Sequence, residues 1–330
     1  MKLTPASLRK LRVQPAIFLI VVTAAFGLLS TKAFGQIFLT NTNAGTIGEY
    51  DVTTGAPINS TLVSGLNHPT QVAVSGTDLF VRQGNGTIGA YTTSGAAINS
   101  SLISSVGIFA IGQGNIYTIH GLANLSTAIG VFDLNTGAVV NPALVTWSNG
   151  EDVPNNFTFS GIQLYAVNDN FNNITAYSTS GTLDYTAGIV GNLAFVPEAI
   201  VSSGPNLFET NFIFGSTDTV GEYNATTGAV INSSLITLPN HSGGIALSGS
   251  DLFIPNSGGT TISEYTTSGT LVNASLISGL TSLGGIAVSG ANISIPEPST
   301  WSLLAGGVVA LFAFCRRRKR SAVSLPAPAP

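Results

Sequence analysis

One motif recurs six times along this chain and restricts its fold more than any other feature. An aromatic residue followed by a turn glycine returns at intervals of 41, 41, 45, 46 and 42 residues. The six pairs are Tyr50 and Gly55, Tyr91 and Gly95, Phe132 and Gly137, Tyr177 and Gly181, Tyr223 and Gly228, and Tyr265 and Gly269. Self-similarity at such a period is typical of architectures in which each repeat is one supersecondary unit.

Each repeat contains four short segments of β character. An alternating segment such as 46–49 precedes the aromatic residue, and another such as 98–103 follows the turn. Next come an apolar segment ending in Ser-Gly, such as 71–76, and an aromatic-bearing segment such as 78–81. Four short strands per ~42 residues, separated by Gly, Asn and Ser turns, describe a propeller blade. We therefore predict an all-β fold, a six-bladed β-propeller that occupies residues 36–293.

The number of blades follows from the turns. The spacing from aromatic residue to glycine alternates between 5 and 4 residues, as three copies of a two-blade unit would give, so we expect six blades rather than seven or eight. The segment Gln36–Asn41 lacks an apolar partner before it, and Gly285–Gly290 is left over at the other end. Pairing these two would close the ring without an open sheet edge. Residues 291–295 also have strand character, and the sequence leaves both alternatives open.

The repeats resemble a known group of propellers. Residues 37–41, 46–51 and 68–76 are similar to the YVTN and NHL propeller repeats, and the similarity extends over most of residues 36–290. The matching positions are degenerate. The resemblance therefore implies a propeller fold and says little about function.

The N-terminus has the pattern of a targeting segment. Four basic residues among the first twelve precede an apolar run at 16–29, and small residues follow up to Gly35. This order is that of a secretory signal, and the run is shorter than the ~20 residues that a spanning helix needs. We predict that residues 1–35 are a signal peptide removed by a secretion signal peptidase.

The C-terminus has three parts in a fixed order. Pro296, Glu297 and Pro298 precede an apolar run at 301–315. A basic cluster follows, consisting of Arg316, Arg317, Arg318, Lys319 and Arg320. Residues 294–320 thereby resemble the PEP-CTERM sorting signal, with a plain tail anchor as the alternative. The resemblance implies a short transmembrane helix stopped by the basic cluster, and recognition by an exosortase, a membrane cysteine protease.

These two signals define the predicted route of the protein. It is exported, held transiently in the inner membrane by its C-terminal helix, and then transferred to the cell envelope or extracellular matrix, as in a biofilm. Residues 321–330 are expected to form a disordered tail.

The charges are strongly segregated along the chain. Arg82 is the only Lys or Arg between Lys32 and Arg316. Residues 36–295 carry fourteen acidic residues against this one basic residue, a formal net charge of −13. Phosphate binding requires clustered Lys or Arg, so this body is not a nucleic-acid binder. The single cysteine, Cys315, excludes an internal disulfide and a CxxC site.

Candidate site residues come from the loops that lead into the innermost strands, because these loops surround the central channel. His68 and His241 take the same position in two repeats, and Glu198 and Asp152 lie in the corresponding loops of two others. The remaining repeats have Ser105, Val153, Val196 and Ser282 at the histidine position. Histidines and carboxylates around one axis can bind Ca²⁺ or another divalent cation, or act as general acid–base groups. Propeller lactonases and streptogramin-type lyases resemble this arrangement.

Three functions are compatible with these observations. The leading one is a non-enzymatic surface or matrix interaction module, which needs no cofactor and has an exopolysaccharide or surface proteins as partners. The alternative is a divalent-cation-dependent, lactonase- or lyase-like enzyme at the channel mouth. A purely structural array protein is the third. In the first and third, repeat duplication alone copied the dipeptide Asn-His, at Asn67-His68 and Asn240-His241, and the acids are ordinary loop residues.

Overall fold

The computed structural model describes residues 35–289, except for 123–125, 149–152, 169–171, 184–195, 213–216, 240–241 and 257–259. Every regular element in the described part is a β-strand, and the strands form six sheets. The prediction of an all-β, six-bladed propeller is confirmed. All but the last residue of the predicted signal peptide, 1–35, lies outside the described residues. The predicted C-terminal helix lies wholly outside them.

The strands follow one another blade by blade. Blade 1 contains β1 (Gln36–Asn41), β2 (Thr46–Asp51) and β3 (Pro57–Val63), and blade 2 contains β4 (Pro69–Ser75), β5 (Asp78–Gln83), β6 (Ile88–Thr92) and β7 (Ala97–Ile103). Blade 3 contains β8 (Phe109–Gly112), β9 (Asn115–Gly121), β10 (Thr127–Asp133) and β11 (Val139–Trp147), and blade 4 contains β12 (Asn156–Ser160), β13 (Gln163–Asn168) and β14 (Asn173–Ser178). Blade 5 contains β15 (Val196–Ser203), β16 (Asn206–Phe212), β17 (Thr219–Asn224) and β18 (Val230–Thr237). Blade 6 contains β19 (Ala246–Ser248), β20 (Asp251–Pro255), β21 (Thr261–Thr266) and β22 (Leu271–Ser278), and β23 (Leu283–Ser289) returns to blade 1.

The ring is closed by the last strand. The innermost strands are β23, β4, β8, β12, β15 and β19, and each contacts the innermost strand of the next blade around a complete circle. Strand β23 pairs antiparallel with β1, with Ser289 opposite Gln36 and Ile286 opposite Leu39. Closure by the segment at 285–290 is therefore confirmed, and residues 291–295 lie outside the described part.

The core consists of six apolar clusters, one between each pair of neighbouring blades. Between blades 1 and 2, Phe38 and Ile47 pack with Leu79 and Val81, and none of the four has exposed surface. Burial of one such side chain contributes about 1.5–3 kcal/mol. Because both faces of each blade are covered in this way, the second strand of a blade reads as a continuous apolar run rather than an alternating one.

The alternation of turn lengths has a structural cause. In the longer turn of blade 1, the Asp51 carboxylate accepts hydrogen bonds from the main-chain N–H groups of Thr53 and Thr54, at 3.0 and 2.8 Å. Blades 3 and 5 repeat this turn with Asp133 and Asn224. In the shorter turn of blade 2, the Thr92 hydroxyl accepts a hydrogen bond from the main-chain N–H of Ala96 at 3.0 Å. Blades 4 and 6 repeat that turn with Ser178 and Thr266. Two kinds of side-chain-capped turn therefore alternate around the ring.

The turn glycines fix the lateral packing of the blades. Gly55 has a φ of +67°, and a Cβ at this position would overlap the main-chain carbonyl of Leu276 on the outermost strand of blade 6. The same contact with the preceding blade recurs for Gly95 with Leu62, Gly137 with Leu102, Gly181 with Leu144, and Gly269 with Leu235. The left-handed φ and the close approach both require glycine, so the repeated glycine marks a contact between blades.

Candidate functional site: the axial cavity

The innermost strands enclose a cavity of about 370 Å³ on the propeller axis. All six blades contribute to its wall, through residues 70–74, 108–111, 156–159, 199–200, 243–245 and 284–286. Many of the lining residues are apolar or glycine by type, but polar atoms make up the larger share of the cavity surface, and Thr70, Asn156 and Thr158 contribute polar side chains. Small-ligand sites are concave and use a small number of placed polar groups to orient the ligand, and this cavity has both features with a more polar surface.

Arg82 is the one charged side chain on the described wall of this cavity. It extends from β5, and its Nη1 donates a hydrogen bond to the Thr70 hydroxyl at 2.8 Å. Its Nε is buried and has no hydrogen-bond partner among the described residues. The cavity thus holds a single positive charge inside a body whose formal net charge is −13.

Irregularities in three innermost strands shape the wall. Thr70 is an extra residue of β4, because Pro69 and Gln71 pair with consecutive residues of β5. Glu198 is an extra residue of β15 in the same way, and the register of β23 shifts around residues 284–285. A bulge bends its strand and redirects a side chain, and at Thr70 the redirected hydroxyl meets Arg82.

His68 lies outside the wall of the cavity. Its side chain is exposed, with Nδ1 3.3 Å from the Asn67 amide oxygen. Its backbone is left-handed, with a φ of 45°, and the equivalent residues Ser105 and Ser282 are also left-handed, at 62° and 54°. Histidine is among the residues enriched in this conformation. The shared position therefore has a backbone role in at least three blades.

Glu198 is the second predicted site residue that the structure describes. It is partly buried on β15, and its Oε2 lies 3.9 Å from the point that a Cβ on Gly243 would occupy. Gly243 lines the cavity and follows His241 by two residues. The structure brings Glu198 to that loop but does not bring His68 to the cavity wall, and His241 and Asp152 lie outside the described residues.

Two further properties concern the described residues alone. No three of their His, Cys, Asp and Glu side chains are grouped so as to hold a metal ion. Nor do they include a helix with the length and hydropathy to cross a membrane. The predicted sorting residues Pro296, Glu297 and Pro298 and the basic cluster Arg316–Arg320 lie beyond the described part.

Sequence reasoning noted Arg82 but did not place it in a site. One signal was present in the sequence, since Arg82 is the solitary basic residue of an acidic segment of 260 residues. The sequence did not show that Arg82 reaches the wall of the cavity or that its partner there is Thr70, at the bulge of β4.

Fold and cavity together define a class of molecule: a six-bladed β-propeller with an axial cavity of ligand size, followed in the chain by a sorting segment. Residues 294–319 match the PEP-CTERM protein-sorting motif. This match confirms the resemblance of the C-terminus. The motif implies export, a membrane-anchored sorting signal, and an exosortase as the processing enzyme.

Solved structures share the propeller fold at low sequence identity. A chain of the nidogen–laminin complex matches with a TM-score of 0.59 and 12% identity, over 77% of this chain and 98% of that one. A functionally unknown protein from Desulfotomaculum acetoxidans matches with a TM-score of 0.52 and 19% identity, over 77% of this chain and 85% of that one. No curated protein matches the sequence. At these identities the likeness concerns the fold alone.

Proposed function

We propose that this protein is a non-enzymatic interaction module of the cell surface or extracellular matrix, delivered there through its exosortase-processed sorting motif. The observation that carries the proposal is the axial cavity, whose described wall has one charged group, Arg82, and no carboxylate or histidine. Hydrolases and lyases need an acid, a base or a metal within reach of the reacting atoms. A cavity whose wall has hydrogen-bond donors and one guanidinium group is better suited to binding a ligand than to proton transfer.

The charge of the body supports a matrix location. A formal net charge of −13 over residues 36–295 keeps copies of the protein apart and hydrated within a polysaccharide layer. Matrix polysaccharides and surface proteins are the proposed partners. A chain of the same fold occurs in the nidogen–laminin complex, so propellers of this kind are compatible with a role in binding other molecules.

Fractionation of the native host tests the route and the destination. We expect wild-type protein to be processed and recovered with the matrix polysaccharide. Replacing Pro296, Glu297 and Pro298 together with alanine should stop processing and retain the protein in the membrane, while export continues. A matched control replaces Pro326, Pro328 and Pro330 with alanine, and its processing should be unchanged. Recovery of processed wild-type protein only in the free medium would contradict the proposal.

A cation-dependent enzyme at the channel mouth is the second candidate. One observation favours it: the Glu198 carboxylate lies next to Gly243, in the loop that contains His241. A carboxylate and an imidazole that reach the same point can share a divalent cation, which would then activate water or polarise a carbonyl.

Thermal unfolding of the full-length protein separates the two candidates. It is measured in EDTA and then with Ca²⁺, Mg²⁺, Mn²⁺ or Zn²⁺ at matched ionic strength, because any divalent salt screens so acidic a body. A site occupied at 100 times its dissociation constant adds about 2.7 kcal/mol of stability. A shift specific to one ion, absent in Glu198→Gln and kept in the control Glu222→Gln, would support the enzyme. Equal small shifts for every ion would support the interaction module.

A further inference from the structure

We propose that the axial cavity binds a small ligand with a single carboxylate, of the uronic-acid type, and that Arg82 supplies the counter-charge. This inference rests on the proposed function and specifies its ligand. The cavity belongs to the propeller body, so the inference can be tested separately from the sorting of the protein.

The first argument is the charge of Arg82. The guanidinium has one hydrogen bond to a neutral hydroxyl, and its Nε is buried without a partner among the described residues. No described carboxylate forms an ion pair with it or lines the cavity. A partly desolvated charge without a counter-charge is costly. A ligand carboxylate would offset that cost, and charge-assisted hydrogen bonds from Arg to carboxylate are among the stronger ones.

The second argument is the way the guanidinium is held. The bulge at Thr70 brings its hydroxyl to Nη1, at 2.8 Å, and thereby fixes the orientation of the planar group. Nη2 makes no hydrogen bond to the described residues and is not among the buried unpartnered atoms. It is therefore available as a donor to a ligand in the cavity. Since the five N–H groups of Arg form a rigid fork, fixing one nitrogen fixes the direction of the others.

The third argument is the remaining polar wall. Asn156 and Thr158 lie on the same face of β12 and line the cavity. Neither side chain makes a hydrogen bond within the described part of the chain. Gln71, in contrast, is fully used: its amide donates to and accepts from the main chain of Phe109, at 2.7 and 3.0 Å. The wall therefore offers unused amide and hydroxyl groups two blades away from Arg82, as a sugar with one carboxylate and several hydroxyls requires.

Size and long-range charge limit the ligand to a small monoanion. A volume of about 370 Å³ is at the lower end of the range for ligand pockets, which suits one or two sugar rings. A polyanionic chain would also be repelled by the acidic body over distances of about 8 Å at physiological ionic strength. A free acidic sugar or the end of a chain fits these limits, and an internal polymer segment does not.

Calorimetric titration of the full-length protein in mild detergent provides the test, with D-glucuronate and D-glucose as probes. The two sugars differ in one carboxylate, so the wild type should bind glucuronate at least about tenfold more tightly, as expected for a charge-assisted pair. Arg82→Gln should remove this preference, and Arg82→Lys should keep part of it. The control Ser101→Glu makes the same change in net charge on an exposed outer strand and should keep the preference in full.

A second variant covers the case in which Arg82→Gln does not fold, which its thermal midpoint would reveal. Thr70→Val keeps the charge but releases Nη1, and should weaken glucuronate binding severalfold without affecting glucose. Equal binding of both sugars, binding of neither, or a preference that survives in folded Arg82→Gln would overturn the inference. If neither sugar binds while the wild type still fractionates with the matrix, the ligand assignment alone is wrong. If glucuronate binds but the protein is absent from the matrix, the proposed function is wrong and the ligand site stands.

Discussion

Blades 5 and 6 have the same strand pattern but differ at one buried position. In blade 6, Ile254 of β20 has no exposed surface and packs into the apolar cluster shared with blade 5. The equivalent residue of blade 5 is Glu209 of β16, which is equally buried on the side that faces blade 4. The residue opposite also differs, because Ile254 pairs with Ser263 whereas Glu209 pairs with Gly221.

The surrounding hydrogen bonds differ as well. In blade 6, the Asn256 amide donates to the hydroxyls of Thr261 and Ser263, at 2.6 and 2.9 Å. In blade 5, neither the amide of Asn211 nor the hydroxyl of Thr219 makes a hydrogen bond within the described residues. The carboxyl of Glu209 has no hydrogen bond of normal geometry either, although Tyr223 and Asn211 lie near enough to lower its pKa slightly. Burial dominates and raises the pKa of Glu209 to about 8.

This comparison shows that the repeat constrains the backbone more strictly than it constrains the contacts between blades. Strand lengths, pairing and turn glycines are kept in blade 5, whereas an apolar contact with its neighbour has become a polar one without complete hydrogen bonding. The interface between blades 4 and 5 should accordingly be less stable than that between blades 5 and 6, and it should respond to pH.

The largest expected effect is the pH dependence. The pKa of Glu209 is raised from 4.5 to about 8 in the folded protein, so its stabilising contribution is complete below pH 4.5 and is lost as the pH rises through 8. The shift corresponds to a loss of up to about 5 kcal/mol. Glu209→Gln should remove most of this slope in urea unfolding between pH 5 and 9. The control Glu222→Gln should leave it unchanged, and an identical slope in Glu209→Gln would refute the assignment.

The converse substitution should have the next largest effect. Ile254→Glu places a carboxyl in blade 6 opposite Ser263, whereas Glu209 in blade 5 lies opposite Gly221, over which the Tyr223 side chain packs. Loss of the apolar contacts and burial of a polar group should cost about 4 kcal/mol, measured by urea unfolding at pH 6. Ile254→Val is the matched control and should cost about 1 kcal/mol. A small and equal loss in both variants would show that the two blade interfaces do not differ in this respect.

The smallest effect concerns the two asparagines. Asn256→Ala removes two side-chain hydrogen bonds and should cost about 2 kcal/mol. Asn211→Ala removes none of normal geometry and should cost less than about 1 kcal/mol by the same reasoning. Thermal unfolding of both variants measures the difference. Equal costs would mean that Asn211 has a partner that the comparison of the two blades does not reveal.

Much of the fold follows from the sequence because it depends on local rules. The spacing from Tyr50 to Gly55 and from Tyr91 to Gly95 correctly predicts two alternating turns, since each turn is capped by its own Asp, Asn, Ser or Thr. The unmatched segments at the two ends predict closure, since an exposed edge is unfavourable. Such features need no knowledge of neighbouring blades.

The site was less predictable because it depends on neighbouring blades and on irregular strands. The alignment of the repeats predicts His68 at the channel mouth. The structure shows that this repeat position is defined by its left-handed backbone, and the His68 side chain is exposed. Arg82 reaches the cavity beside a bulge that no spacing rule reveals. The difference between Glu209 and Ile254 is visible in the sequence. Its effect on the free energy of unfolding can be judged only from the hydrogen bonds of Asn211 and Thr219, which the structure shows.

The pairing of β1 with β23 has a consequence for the timing of folding. Gln36 and Ser289 are 253 residues apart and hydrogen-bonded to each other. Blade 1 is therefore complete only when the last strand, β23, has paired with the first, β1. Contacts this distant in sequence form late and slowly. Only six residues separate Ser289 from the Pro-Glu-Pro sequence. The strand that closes the ring and the sorting motif are thus synthesised almost together. A chain truncated before β23 would have neither a closed propeller nor a sorting motif.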